Sequence, residues 1–228
     1  MANTPKKRVA VLISGGGTNL QSLIDATSAP NFPAKICLVI SNKADAYGLT
    51  RAQKADIDTK ALPHKEYASR SAFDEALDEA LNDADIELIC LAGFMRLLTP
   101  GFIEKWTNKI LNIHPSLLPS FPGLNVHQRA IDAGVRFSGC TVHIVREEMD
   151  VGPIIAQAAV PLAQDDTADA LAARILASEH KIYPKALEWV ASEQVKIVGE
   201  RVFLDQALNV PDSEYPVSYT HLTLPTKA

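Results

Sequence analysis

The chain has no run of about 18 apolar residues, the length a membrane-spanning helix needs. Its first apolar run, inside MANTPKKRVAVLIS, is shorter than a secretory signal and lacks a small-residue cleavage site. Cysteine is scarce: three residues, Cys37, Cys90 and Cys140, none in a CxxC or Cys/His ligand spacing. That count argues against a disulfide scaffold or a zinc site and reads as buried, reduced thiols of a cytoplasmic protein. There is no excess of positive charge. Twenty-two Lys and Arg stand against 27 Asp and Glu, a net charge of −5, which weighs against a dedicated nucleic-acid binder. No GxSxG elbow, Walker A loop, GxGxxG fingerprint or HExxH pair is present, and His64, His127, His143 and His180 show no metal-ligand spacing, so no metal is expected.

What is present is an ordinary globular composition. Hydrophobic residues make up 47% of the 228 residues and charged residues 21%, enough apolar material to bury a core and too little charge for disorder. The expected organisation is one domain over residues 1–216. Residues 217–228 (VSYTHLTLPTKA) have no periodicity and resemble translated sequencing-adapter sequence more than a native terminus.

Short apolar, β-branched runs at 8–14, 35–41, 86–92 and 109–113 read as buried strands. Helical spacing appears at 19–26, 47–55 and 69–82, and Thr99-Pro100 opens another helix. Strands alternating with helices predict a mostly parallel, twisted α/β sheet flanked by helices. From residue 138 the pattern changes. Cys140–Arg146 and Pro153–Val160 read as strands joined by a short polar link, an antiparallel C-terminal portion. A long helix over 167–191 is expected to kink near Pro184, and 195–204 reads as a hairpin turning at Gly199-Glu200.

Two stretches carry candidate chemistry. Ser14-Gly15-Gly16-Gly17-Thr18-Asn19 joins a strand to a helix. Glycines let backbone N–H groups approach a ligand, and a helix N-terminus favours an anion, so this is a candidate phosphate site. The plainer alternative is a tight turn with Thr18 or Asn19 capping the helix. In LNIHPSLLP, Asn112 and His114 lie two apart at a strand end and therefore share a face, at the sheet edge where α/β proteins bind ligands. An amide and an imidazole side by side suit the stabilisation of a tetrahedral oxyanion. Asp150, in EEMDVGP, is the best distant carboxylate partner for His114, with Gly152-Pro153 turning it inward. His143 is expected to face away from Thr141 and stays ambiguous.

The motifs ISGGGTNLQ, LAGFMRLL, LNIHPSLLPSFPG, SGCTVHIV, DVGPIIAQ and EHKIYP occur in that order. Together they resemble the folate-dependent phosphoribosylglycinamide formyltransferase family, from about residue 8 to 204. HPSLLP alone marks the wider formyltransferase superfamily, which includes methionyl-tRNA formyltransferase and formyltetrahydrofolate deformylase. The SGGGTN loop narrows it.

The resemblance implies a Rossmann-like formyltransferase fold and transfer of a formyl group from 10-formyltetrahydrofolate to the amine of 5′-phosphoribosylglycinamide in purine biosynthesis. It implies Asn112, His114 and Asp150 as catalytic residues. Gly17, Thr18, Asn19 and Glu179 would hold the ribonucleotide. Arg70, Met95, Arg96, Leu97, Leu98, Asn112, Val145, Glu148, Met149 and Asp150 would border the folate. The expected partners are these small molecules, without nucleic acid or membrane, in a monomer or homodimer. A methionyl-tRNA formyltransferase would need a further basic domain, a deformylase an N-terminal regulatory one. A non-catalytic nucleotide-binding module would keep the glycine loop without needing Asn112, His114 and Asp150 together.

Overall fold

The computed structural model describes residues 5–204. The expectations for residue 216 as a boundary and for 217–228 lie outside the described residues. In chain order the elements are β1 (Lys7–Ile13), α1 (Thr18–Thr27), β2 (Ala34–Ser41), α2 (Tyr47–Lys54), β3 (Asp58–Ala61), α3 (Arg70–Asp83), β4 (Leu88–Leu91) and α4 (Pro100–Lys105). There follow β5 (Ile110–His114), α5 (Val126–Asp132), β6 (Phe137–Ile144), β7 (Ile154–Pro161), α6 (Ala168–Ala191), β8 (Val195–Val198) and β9 (Arg201–Leu204).

Seven strands form one sheet in the order β3-β2-β1-β4-β5-β6-β7, and β8-β9 make a separate hairpin. β3, β2, β1, β4 and β5 run parallel. β6 and β7 are antiparallel to their neighbours, as the change of pattern predicts. The order reverses between β1 and β4. Such a switch point opens a crevice at the carboxyl ends of the strands.

Period-two alternation divides the core between the two faces of the sheet. Val9, Val11 and Ile13 of β1 join one cluster with α1, α2 and α6, while Ala10 and Leu12 join another with α3 and α4. β2 carries an extra residue: Val9 pairs with Ile36 and Ala10 with Leu38, so Cys37 is skipped. This leaves Cys37 half-buried, unlike the other two thiols and unlike the sequence expectation. Burial pushes the Cys90 thiol up to about 12 and raises Cys140 further, so both stay protonated.

α6 is the longest helix and continues through Pro184 without a break. Tyr183, one residue earlier, is fully buried. Its hydroxyl lies 2.9 Å from the Leu91 carbonyl and 3.1 Å from that of Leu111, which ties α6 to β4 and β5. The sequence expectation missed two elements, β3 and α5, both short.

Candidate active site

The N-termini of three helices are satisfied by side chains. Ser69 accepts from the Ala72 N–H at the start of α3, Thr99 from Phe102 at α4 and Thr167 from Ala170 at α6. α1, α2 and α5 have no such cap. The N-cap of α1 is Gly17, in the left-handed conformation at φ 70°. Neither Thr18 nor Asn19 plays the capping part that the plainer sequence reading gave them. First-turn N–H groups of α1 are thereby left without a side-chain partner.

Gly17 is required twice over. Its φ disfavours any Cβ, and a Cβ there would stand 2.8 Å from the Gly48 Cα. Gly48, at the start of α2, is itself closed in by Ile13 and the Gly15 carbonyl. Thr18 is exposed. Asn19 donates through Nδ2 to Glu179 Oε2 at 2.6 Å, and its Oδ1 is buried without a partner. Glu179, on α6, is buried, and burial raises its carboxyl above the ordinary range against the Asn19 hydrogen bond.

On the opposite face of the sheet, Asn112 and His114 point the same way from the end of β5. Across the antiparallel ladder Asn112 pairs with His143 and His114 with Thr141. Thr141 and His143 therefore share this face, since the pleat repeats every two residues, and the expectation that they face opposite ways is corrected. The Nδ1–H of His143 donates to the Ile144 carbonyl at 3.1 Å, which leaves Nε2 to accept from Asn112 Nδ2, also at 3.1 Å. Burial, the first cause, pulls the His143 pKa down, which keeps the ring neutral and able to accept. Asn112 retains its Oδ1 and one N–H.

His114 Nδ1 lies 3.5 Å from Asp150 Oδ1, with both side chains nearly buried. Its Nε2–H donates to the Phe121 carbonyl at 3.1 Å. The other Asp150 oxygen accepts from the Gly123 N–H at 2.8 Å. Asp150 has φ 60°, a strained value for a residue with a side chain. Gly152 holds that turn: a Cβ there would meet the Ile144 carbonyl oxygen at 1.8 Å. Thr141 fixes the loop after His114 by donating to the Ser116 carbonyl at 2.7 Å and accepting from Leu118 N–H at 3.0 Å.

The sequence matches the family described as Formyl transferase over residues 7–187. The chain belongs to the formyl transferase family. It is 55% identical over 194 residues to the trifunctional purine biosynthetic protein adenosine-3 of Bos taurus, covering 85% of this chain and 19% of that protein. The chain thus spans about a fifth of the length of that relative. It is 46% identical to the phosphoribosylglycinamide formyltransferase of Haemophilus influenzae, over 87% of this chain and 94% of that one. The crystal structure of glycinamide ribonucleotide transformylase 1 from Symbiobacterium toebii superposes with a TM-score of 0.86 at 48% identity, over 88% and 94% of the two chains. The Rossmann-like formyltransferase fold expected from the sequence is the one observed.

In this formyl transferase chain the remaining expected residues divide. Met95 and Leu97 are exposed at 69% and 57% on the segment after β4, and Met149 is exposed beside Glu148 at the tip of the β6–β7 link. Arg96 stacks 4.5 Å from the Phe73 ring centroid, with a buried Nε that has no partner. Leu98 instead packs into the core beside α3, and Val145 is half-buried against the same core. Arg70 is exposed at the first turn of α3. His143, Ser14 and the backbone groups of Phe121 and Gly123 were not chosen from the sequence. Period-two spacing from Thr141 is the signal that points to His143.

Proposed function

We propose that this chain transfers a formyl group from 10-formyltetrahydrofolate to the amine of 5′-phosphoribosylglycinamide. The observation that carries the reading is Asn112, His114 and Asp150 drawn together at the switch-point edge, with the uncapped N-terminus of α1 on the sheet's other face. The trifunctional and single-function relatives' names support the substrate assignment.

The free N–H groups of α1 would receive the acceptor's phosphate, and the Asn19–Glu179 pair its ribose. Exposed Met95, Leu97 and Met149, with the flat Arg96 guanidinium, suit a planar aromatic donor. No enzyme nucleophile is required, because a neutral amine attacks the formyl carbon directly. Asn112 meets the oxygen that becomes negative, an interaction worth roughly 3–4 kcal/mol per donor in comparable sites. His114 reaches that oxygen by exchanging the Phe121 carbonyl for it. Asp150 orients the ring and organises a water that takes the amine proton. As the bond between the formyl carbon and the donor nitrogen breaks, that proton passes to the leaving nitrogen. Holding both substrates together lowers the rest of the barrier.

No helix among the described residues is long and apolar enough to cross a membrane. Cytoplasmic residence and purely small-molecule partners belong to the same proposal. The deciding experiment offers 10-formyltetrahydrofolate with each acceptor in turn: ribonucleotide, charged initiator tRNA, or water. Transfer to phosphoribosylglycinamide is expected. Hydrolysis or tRNA formylation at comparable rates would assign the site to a sister activity.

A further inference from the structure

Three strand ends at the switch point are joined by a small buried relay. Ser14, the last residue before the glycines, is 5% exposed, and Asn42, the first after β2, is 2% exposed. The Ser14 hydroxyl donates to Asn42 Oδ1 at 2.7 Å and accepts from the Met95 N–H at 2.8 Å. His64 closes the cluster, its Nδ1 lying 3.0 Å from the Asn42 carbonyl. Ser14 thus stands between the loop that turns into α1 and the segment after β4.

That segment is lightly tethered. At one end Ala92 N–H bonds to the Leu12 carbonyl at 2.9 Å, and at the other Thr99 N–H bonds to Asp74 Oδ2 at 2.6 Å. Between them, among the described residues, the Met95 N–H to Ser14 bond is the one backbone hydrogen bond holding residues 93–98 to the body. The segment nevertheless presents Met95 and Leu97 outward. Phe94 and Leu98 hold the segment by side-chain packing, and Arg96 lies over Phe73. The Met95 bond sets the backbone between those contacts, and it does so only if its anchor is itself fixed. Asn42 supplies this: by accepting the Ser14 hydroxyl's hydrogen bond, its Oδ1 turns a Ser14 lone pair toward the Met95 N–H.

We propose that Ser14 and Asn42 are positioning residues for the formyl donor, setting the shape of residues 93–98 from the start of the acceptor loop. This rests on the reading of 95–98 as the donor's border. Ser14→Ala removes the acceptor of the Met95 N–H. Asn42→Ala leaves the hydroxyl in place but free to rotate, a milder loss.

The test measures KM for donor and acceptor, kcat, and amide hydrogen exchange in Ser14→Ala, Asn42→Ala and the double variant, with Leu97→Asp as a separate probe of the border. Ser14→Ala is expected to raise the donor KM about tenfold, with kcat and acceptor KM within twofold, and Asn42→Ala about threefold. The double variant should match Ser14→Ala, because both changes break one relay. The Met95 amide should exchange at least tenfold faster in both single variants while those of Ile89 and Cys90 in β4 do not change. A donor KM within twofold of normal in Ser14→Ala, when Leu97→Asp raises it, overturns the proposal and spares the donor reading. No effect from Leu97→Asp overturns both. Equal losses for donor and acceptor overturn it too, by assigning Ser14 to the glycine loop alone. If Ser14→Ala fails to fold, Asn42→Ala decides: unchanged donor KM and unchanged Met95 exchange overturn the relay.

Discussion

The parallel and antiparallel halves of the sheet serve the site by different means. From β1 and β4 the chain leaves the C-terminal edge in loops: one brings the free N–H groups of α1, the other the exposed Met95 and Leu97 on a segment with a single backbone tether. From β5 and β6 it offers side chains, Asn112 against His143 and His114 against Thr141, set by the antiparallel register. Loops are held by glycine and single hydrogen bonds, whereas ladder residues are held by every bond of two strands. Under the proposed function, ligand holding falls to the first and bond-making chemistry to the second, because a displaced reacting group costs more than a displaced contact.

If that division is right, the largest effect belongs to the antiparallel side. Asp150→Asn should lower kcat by a factor of about 10² or more with little change in either KM, the pattern of an interaction made mainly in the transition state. His114→Ala combined with Asp150→Asn should be scarcely worse than the poorer single variant. Multiplicative losses in steady-state kinetics would show independent roles. Near-normal kcat in Asp150→Asn would take the carboxylate out of the chemistry.

On the parallel side, Gly17→Val forces a β-branched residue to φ 70° and into Gly48. Titration should show ribonucleotide affinity down at least about tenfold and donor affinity within twofold. Equal losses would blur the two halves into one.

Smaller still is Gly152→Ala. Its Cβ cannot coexist with the Ile144 carbonyl oxygen, so the β6–β7 link must shift. Melting should fall by several degrees and kcat with it, whereas acceptor affinity stays. A drop in melting without a drop in kcat would separate the link from Asp150.

The mildest test is pH. His143 has its pKa lowered by burial, and burial also lowers His127 and His180. Between those folded values and the ordinary histidine value of about 6.5, the unfolded chain binds more protons than the folded one. Stability therefore falls as pH drops through about 6.5, and it is fully present above. Glu179, raised by burial, works the other way closer to the carboxylate range. His143→Gln should show a smaller loss of melting temperature between pH 7 and 5.5 than the parent, by a degree or two. An identical loss would mean His143 carries none of it.

Much of this was legible in the chain. The runs of β1, β2 and β4 are mostly apolar and that of β5 is interrupted by Asn112 and His114 alone, and the change at residue 138 marks the turn from parallel to antiparallel. β3 (DTKA) escaped because an exposed edge strand of four residues has no hydrophobic signature. α5 escaped because only Val126 and Ala130 of it are buried and no side chain caps it. Asn112 and His114 could be chosen because their spacing is local. His143 shares their face only through pairing with β5, 31 residues away, and Ser14 meets partners 28 and 81 residues off. Contacts of that span are written in the register of the sheet and not in any window of sequence.

The contact between Gly17 and Gly48 bears on how such a chain can drift. A side chain at 17 strikes the Gly48 Cα, a backbone atom, whereas one at 48 meets the movable Ile13 Cδ1 and lies 3.3 Å from the Gly15 carbonyl oxygen. Shrinking one position therefore never makes room at the other, since both are already the smallest residue. In a library randomised at both and selected for growth on the activity, survivors should keep glycine at 17, with nothing larger than alanine at 48. α2, which gives the phosphate loop no side chain in this reading except Arg51 against the Gly16 carbonyl, would then be inherited with that loop as one unit.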